Sequence, residues 1–129
     1  MPAALLVVED DPSVANITCR ILEEAGYRCT WLASGGEAIA RFEGEQPDVD
    51  ALVLDIRLPD ISGLEVARRV RLRRPGIPIV FVSGYPEHHG EDLPASPWTF
   101  LAKPFRQDQL LDNLRELLEQ ASTPSPPPA

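Results

Sequence analysis

No stretch of the chain is apolar for long enough to cross a bilayer, and the N-terminus lacks a basic-then-apolar leader. Neither a membrane span nor a secretory signal is therefore expected, and a cytoplasmic location is the default. Basic charge is also scarce. Twelve Lys and Arg against twenty Asp and Glu leave a net charge of -8, which argues against a general nucleic-acid binder, since phosphate contacts need a basic surface. Cysteine is nearly absent. Cys19 and Cys29 have neither metal-ligand nor redox spacing. Cys29 falls in a predicted strand and Cys19 on the expected solvent face of a helix, so both are read as reduced thiols without a catalytic part. There is no internal repeat. At 129 residues, 43% of them hydrophobic and 25% charged, the chain fits one globular domain and not two.

What the chain does have is centred on Ala51-Leu52-Val53-Leu54-Asp55, an apolar run that ends abruptly in a carboxylate. An uninterrupted apolar run between turn residues reads as a strand buried on both faces, as in parallel sheets. A carboxylate at its end lies on the carboxyl edge of the sheet, where open α/β folds bind ligands.

The other segments follow the same grammar. Leu5 to Val8 is a buried strand followed at once by Glu9-Asp10-Asp11, with Asp11 as a cap and Pro12 opening a helix. Val14, Ile17, Ile21, Leu22 and Ala25 keep helical spacing up to a stop at Gly26. Tyr27 to Leu32 reads as a second strand, Ser34-Gly35-Gly36 as a turn, and Glu37 to Phe42 as a short helix with Ile39 and Phe42 inward. After the central strand, Gly63 to Arg74 forms a helix burying Leu64, Ala67 and Val70, ended by Pro75-Gly76. Ile79 to Val82 is the fourth strand and Trp98 to Ala102 the fifth. The last helix, from about Arg106 to Gln120, carries a leucine stripe at 110, 111, 114, 117 and 118.

Strands alternating with helices give a (βα)5 order and a doubly wound parallel sheet. Between Tyr85 and Pro97 the expected fourth helix is short or irregular, because Pro86, Gly90, Pro94 and Pro97 interrupt it. The domain is expected to span 1–121, with the proline-rich 122–129 as a disordered tail or linker.

Four strands end in chemically useful residues: Glu9 and Asp10, Asp55, Ser83, and Lys103. In a parallel sheet these ends converge on one edge. Packed carboxylates repel one another and raise their own pKa values, a cost explained if a hard cation sits among them. Mg2+ prefers oxygen ligands and takes one or two carboxylates with waters and phosphate. A free oxygen of Asp55 could then attack a phosphoryl group, with Lys103 neutralising charge and the Ser83 hydroxyl binding an equatorial oxygen.

Val7-Val8-Glu9-Asp10-Asp11, the stretch from Leu54 to Gly63, Val82-Ser83-Gly84 and Lys103-Pro104-Phe105 together resemble the receiver domain of bacterial response regulators, over roughly Leu5 to Glu119. The resemblance implies a flavodoxin-like fold with strand order 2-1-3-4-5. It implies Asp55 as phosphoacceptor and Mg2+ (or Mn2+) as cofactor. Asp10 and Asp55 would hold the ion directly, Glu9 through a bound water, and the Arg57 backbone carbonyl as a further ligand. Lys103 would contact the phosphoryl group, in a peptide with Pro104 that is cis in the family. Ser83 and Phe100 would be the switch pair, the ring swinging inward with the hydroxyl. The donor would be a histidine kinase or a histidine phosphotransfer domain, docking on the exposed side of the first helix and the loop after Lys103. A downstream protein would read the altered conformation. Self-directed phosphotransfer and autodephosphorylation would be the only reactions, so the chain is not expected to be an enzyme.

Val82-Ser83-Gly84-Tyr85 looks more like the receivers of hybrid histidine kinases, and no output domain follows, so a stand-alone or excised receiver is expected. Arg57 and Tyr85 depart from the family pattern and are expected to slow autodephosphorylation. Blander readings apply elsewhere: the arginines at 68, 69, 71, 73 and 74 form a solvated helix face, and His88-His89 is an exposed loop pair. Two other functions compete. A haloacid-dehalogenase-type phosphohydrolase would need an acid where Arg57 stands, and an unphosphorylated interaction module would not need the complete acidic set.

Overall fold

The computed structural model describes residues 2–44, 48–84 and 97–122. In chain order they form β1 (Ala4–Val8), α1 (Pro12–Glu24), β2 (Arg28–Leu32), α2 (Gly35–Glu43), β3 (Ala51–Asp55), α3 (Gly63–Arg73), β4 (Ile79–Ser83), β5 (Trp98–Ala102) and α4 (Gln107–Ser122). The five strands are parallel and ordered β2-β1-β3-β4-β5, the flavodoxin-like order. The fourth helix expected between β4 and β5, with Tyr85 and His88-His89, lies outside the described residues, as does most of the expected tail.

Every residue of β1, β3 and β4 is buried, as the apolar runs require. Their side chains alternate between the two faces of the sheet. Leu6, Val8, Leu52, Leu54, Ile79 and Phe81 meet α2 and α3 through Phe42, Val66 and Val70. Leu5, Val7, Val53, Val80 and Val82 meet α1 and α4 through Leu22, Leu110, Leu114 and Leu117. The leucine stripe on the last helix thus finds its partner, with Leu111 and Leu118 at its margins.

Several local expectations change. On α1 the buried line is Ala15, Thr18 and Leu22, while Ile17 is 60% exposed. Thr18 can occupy the centre of that line because its hydroxyl donates to the Val14 carbonyl at 2.8 Å, which satisfies the polar atom locally. Cys19 is not on the solvent face: it is half-buried and packs with Cys29 against the α1/α4 core. On α3, Val66 is fully buried and Leu64 only partly so.

The expected turn at Ser34-Gly35-Gly36 is instead the first turn of α2. Ser34 Oγ caps the helix by accepting from the Glu37 amide at 3.2 Å, and the Glu37 carboxylate reaches back to accept from the Ala33 amide, one residue before the cap, at 3.1 Å, a variant of the capping box. Two flexible glycines then begin a helix because the carboxylate of Asp60 accepts from both, at 3.1 Å from the Gly35 amide and 2.8 Å from the Gly36 amide. α1 ends as expected: Gly26 has φ +98°, a left-handed conformation that suits glycine.

Candidate functional site

The strand order reverses between β1 and β3, because the chain leaves β1 for β2 on one side and returns to β3 on the other. The crevice at the carboxyl ends of these two strands is where doubly wound sheets hold ligands. Register places Val8 beside Leu54, so Glu9 and Asp55 emerge from neighbouring strands at the same level. Alternation along each strand continues Leu5-Val7 to Glu9 and Ala51-Val53 to Asp55, which turns both carboxylates toward the α1/α4 face.

Glu9 and Asp55 are buried, at 4% and 6% exposure, and Asp10 is exposed beside them. Oxygens from all three lie within 4.8 Å of one another. Lys103, just past the end of β5, reaches across to them. Its Nζ donates to Oε1 of Glu9 at 2.6 Å and to Oδ2 of Asp55 at 2.9 Å. The other Asp55 oxygen, Oδ1, accepts from the Arg57 amide at 3.0 Å. The remaining Glu9 oxygen accepts from the Asp11 amide at 3.3 Å.

The electrostatics follow from this crowding. Partial loss of solvent beside the buried Glu9, reinforced by contact with that carboxylate, pushes the Asp10 carboxyl above its ordinary value although Asp10 itself is exposed. Burial pulls the Lys103 ammonium down, but its hydrogen bonds to Glu9 and Asp55 more than offset this and raise it. Three carboxylates against one ammonium leave the cluster negative. An all-oxygen donor set with surplus negative charge fits a hard divalent cation such as Mg2+, and does not fit a soft metal.

Surrounding backbone holds these groups in place. The Lys103 amide donates to the Ser83 carbonyl at 2.8 Å, and the Lys103-Pro104 peptide is cis, as the family resemblance implies. The Ile56 amide donates to the Val82 carbonyl at 3.0 Å. Gly63 opens α3 so close to the end of β3 that a Cβ there would lie 2.2 Å from the Asp55 carbonyl oxygen. Ser83 is fully buried at the end of β4. Phe100 is half-buried on β5, paired in register with Phe81 and packed on the α2/α3 side. Alternation puts Ser83 on that same side.

The structure thus brings Glu9, Asp10, Asp55 and Lys103 together. Of the other expected site residues, Arg57 bonds Asp55 through its amide and Ser83 closes β4, while Phe100 lies mid-strand in β5 on the α2/α3 side, away from the cluster. Two supports escape the sequence. The indole N–H of Trp31 donates to the Glu9 backbone carbonyl at 2.7 Å, and Asp60 ties the loop after Asp55 to α2. The capping box around Ser34 is a signal that would have found the start of α2 but not its link to Asp60.

The chain is 36% identical over 125 residues to the transcriptional regulatory protein TcrA of Mycobacterium tuberculosis, covering 95% of this chain and 49% of TcrA. It is 38% identical over 120 residues to the sensor kinase CckA of Brucella abortus, covering 92% of this chain and 13% of the kinase. The chain therefore spans about half the length of the first relative and a small part of the second. Among solved structures, it superposes with a TM-score of 0.81 and 26% identity on the receiver domain of a sensor histidine kinase from Pseudomonas aeruginosa, covering 92% of this chain and 99% of that one. That structure has a magnesium ion coordinated in its active-site cleft. No described helix is long and apolar enough to cross a membrane. Residues 5–115 match the response regulator receiver domain, and the chain belongs to that family.

Proposed function

We propose that the chain is a phosphorylation-controlled switch in which Asp55 accepts a phosphoryl group from a phosphohistidine donor. The observation that carries this reading is the pairing of Asp55. One oxygen is fixed by the Arg57 amide and the other by Lys103, with Glu9 and Asp10 close enough to share a cation. In the transfer the phosphorus–nitrogen bond of the donor breaks, an Asp55 oxygen forms the new phosphorus–oxygen bond, and the imidazole leaves.

Asp10 and Asp55 would hold Mg2+ (or Mn2+), with Glu9 acting through a water and Arg57 through its backbone carbonyl. The ion would supply charge neutralisation for the phosphoryl oxygens. Lys103 carries the other positive charge, and its double hydrogen bond keeps the ammonium at the acceptor. Ser83 would turn its hydroxyl to the phosphoryl group, and Phe100, on the same side of the sheet, would follow it inward. A partner protein would read that change.

A histidine kinase or phosphotransfer domain is the proposed donor. Its docking surface would include a groove of about 360 Å³ beside the site, lined by Val14, Ile17, Ile21, Pro104 and Phe105 together with Thr18 and Lys103. The exposure of Ile17 suits such a contact. No external metabolite is turned over in this scheme, so the domain works as a substrate of signalling and not as an enzyme.

The test is intact mass after incubation with acetyl phosphate or phosphoramidate, with and without Mg2+. A gain of one phosphoryl group that needs Mg2+ and disappears in Asp55→Asn is the expected result. Sustained phosphate release from small phosphomonoesters would instead favour a hydrolase. The absence of both an adduct and any thermal shift with Mg2+ would favour an unphosphorylated interaction module.

A further inference from the structure

On the same face of the sheet as the acidic cluster, two thiols meet. Cys19 lies in the middle of α1 and Cys29 on edge strand β2, and their Sγ atoms are 2.7 Å apart. Neither is a core cysteine sealed from solvent; both are half-buried at the margin of the α1/α4 core beside Ile21 and Tyr27. Strand register holds Cys29 against Leu5, and α1 is fixed by the burial of Ala15, Thr18 and Leu22. The contact is therefore imposed by two packed elements and not by a chance rotamer of a loose loop. A disulfide needs two Cβ atoms already close and sulfurs able to reach about 2.05 Å, and this pair asks only for small side-chain adjustment.

We propose that Cys19 and Cys29 form a redox modification site, closed to a cystine by a low-molecular-weight disulfide of the glutathione class. The hydrogen bond gives the two thiols different roles. The Cys29 S–H donates to the Cys19 sulfur, and this bond draws the Cys19 thiol down while pushing the Cys29 thiol up. Cys19 is thus the attacking thiolate. It attacks one sulfur of the oxidant, giving a mixed disulfide and releasing one thiolate. Cys29 then gives up its proton and attacks the Cys19 sulfur, and the second thiol of the oxidant leaves. The two protein sulfurs lose two electrons, the oxidant gains them, and the two thiol protons end on the released thiols.

The cystine would bolt α1 to β2. Both elements frame the β1–α1 turn, α1 by continuing directly from it and β2 through the Trp31 bond to Glu9 and the Glu9 amide bond to the Leu32 carbonyl at 3.1 Å. The inference rests on this packing and is independent of phosphoryl transfer at Asp55.

The experiment equilibrates the full chain in glutathione buffers of stepped oxidised-to-reduced ratio, quenches with an alkylating agent, and reads intact mass and a non-reducing peptide map. The expected product is a monomer that has lost two hydrogens, resists alkylation at both cysteines and yields a linked Cys19–Cys29 peptide pair. Its melting temperature should rise by about 5–10 °C, fall back on treatment with dithiothreitol, and stay unchanged by oxidant in Cys19→Ser and Cys29→Ser. Stable glutathione adducts on wild type, disulfide-linked dimers, or two alkylated thiols at the most oxidising ratio would each overturn the proposal. None of these readouts depends on Mg2+ or on Asp55.

Discussion

The indole of Trp31 is bonded to the backbone of Glu9, not to any side chain: its N–H reaches the Glu9 carbonyl at 2.7 Å. Trp31 stands on the edge strand and is 37% exposed, an unusual position for a tryptophan unless its polar end is engaged. The bond fixes the turn that presents Glu9 and Asp10.

Trp31→Phe keeps the ring and removes the donor. It should cost about 0.5–1.5 kcal/mol of folding stability and weaken Mg2+ binding by roughly 2- to 10-fold, a loss of the same energy. Titration calorimetry and denaturant unfolding check the two values. Unchanged Mg2+ affinity with reduced stability would make the bond a structural one only.

Lys103 is the cation that pairs with both Glu9 and Asp55. Lys103→Met should destabilise the metal-free protein by about 1–3 kcal/mol, somewhat less than a fully buried pair because Lys103 is partly exposed. With one positive charge fewer in the cluster, Mg2+ should bind about 3- to 30-fold more tightly. Denaturation with and without Mg2+ reads both effects, and the stability gap should narrow when the metal is added.

Gly63 has no room for a side chain, because its Cβ would meet the Asp55 carbonyl oxygen at 2.2 Å and the Ile56 Cα at 2.8 Å. Both contacts are backbone and cannot swing away. Gly63→Ala should cost about 1–3 kcal/mol and shift the loop after Asp55, seen as a lower urea midpoint with little change in slope.

The Asp60 carboxyl is held below its ordinary value by the Gly36 amide first and by the Gly35 amide with it. A carboxylate depressed in the folded state contributes stability that is present above its unfolded pKa and is lost as pH falls through the folded one. Asp60→Ala should therefore cost about 0.5–1 kcal/mol at neutral pH, the low end of a cap deletion because Asp60 is exposed. The difference from wild type should shrink as pH falls below the ordinary carboxylate range and through the folded value. A constant gap throughout that fall would assign the cost to packing instead.

The site was legible because parallel strands end at one edge: an apolar run closing in a carboxylate announces both its burial and its exit point. Glu9, Asp10, Asp55 and Lys103 needed only that rule and the family resemblance. The links at Trp31, at Asp60 and between Cys19 and Cys29 were not legible, since each joins groups from different elements whose meeting depends on register and helix phase. α1 shows how phase is lost. The polar Thr18 sits at the centre of the buried line, so a count of apolar residues favoured Ile17, which faces out. α2 shows the opposite failure, two glycines that look like a turn and become helix once a distant carboxylate holds their amides.

The sheet is also a partition. Glu9 and Asp55 project toward the α1/α4 side, whereas Ser83 and Phe100 belong to the α2/α3 side. The groups proposed to hold the ion and the paired thiols occupy one compartment, and the residues proposed to move occupy the other. Among the described residues, the two sets of side chains approach each other at the rim formed by the strand ends. A substitution confined to one face therefore reaches the other only through the strand ends or through the backbone of the sheet itself.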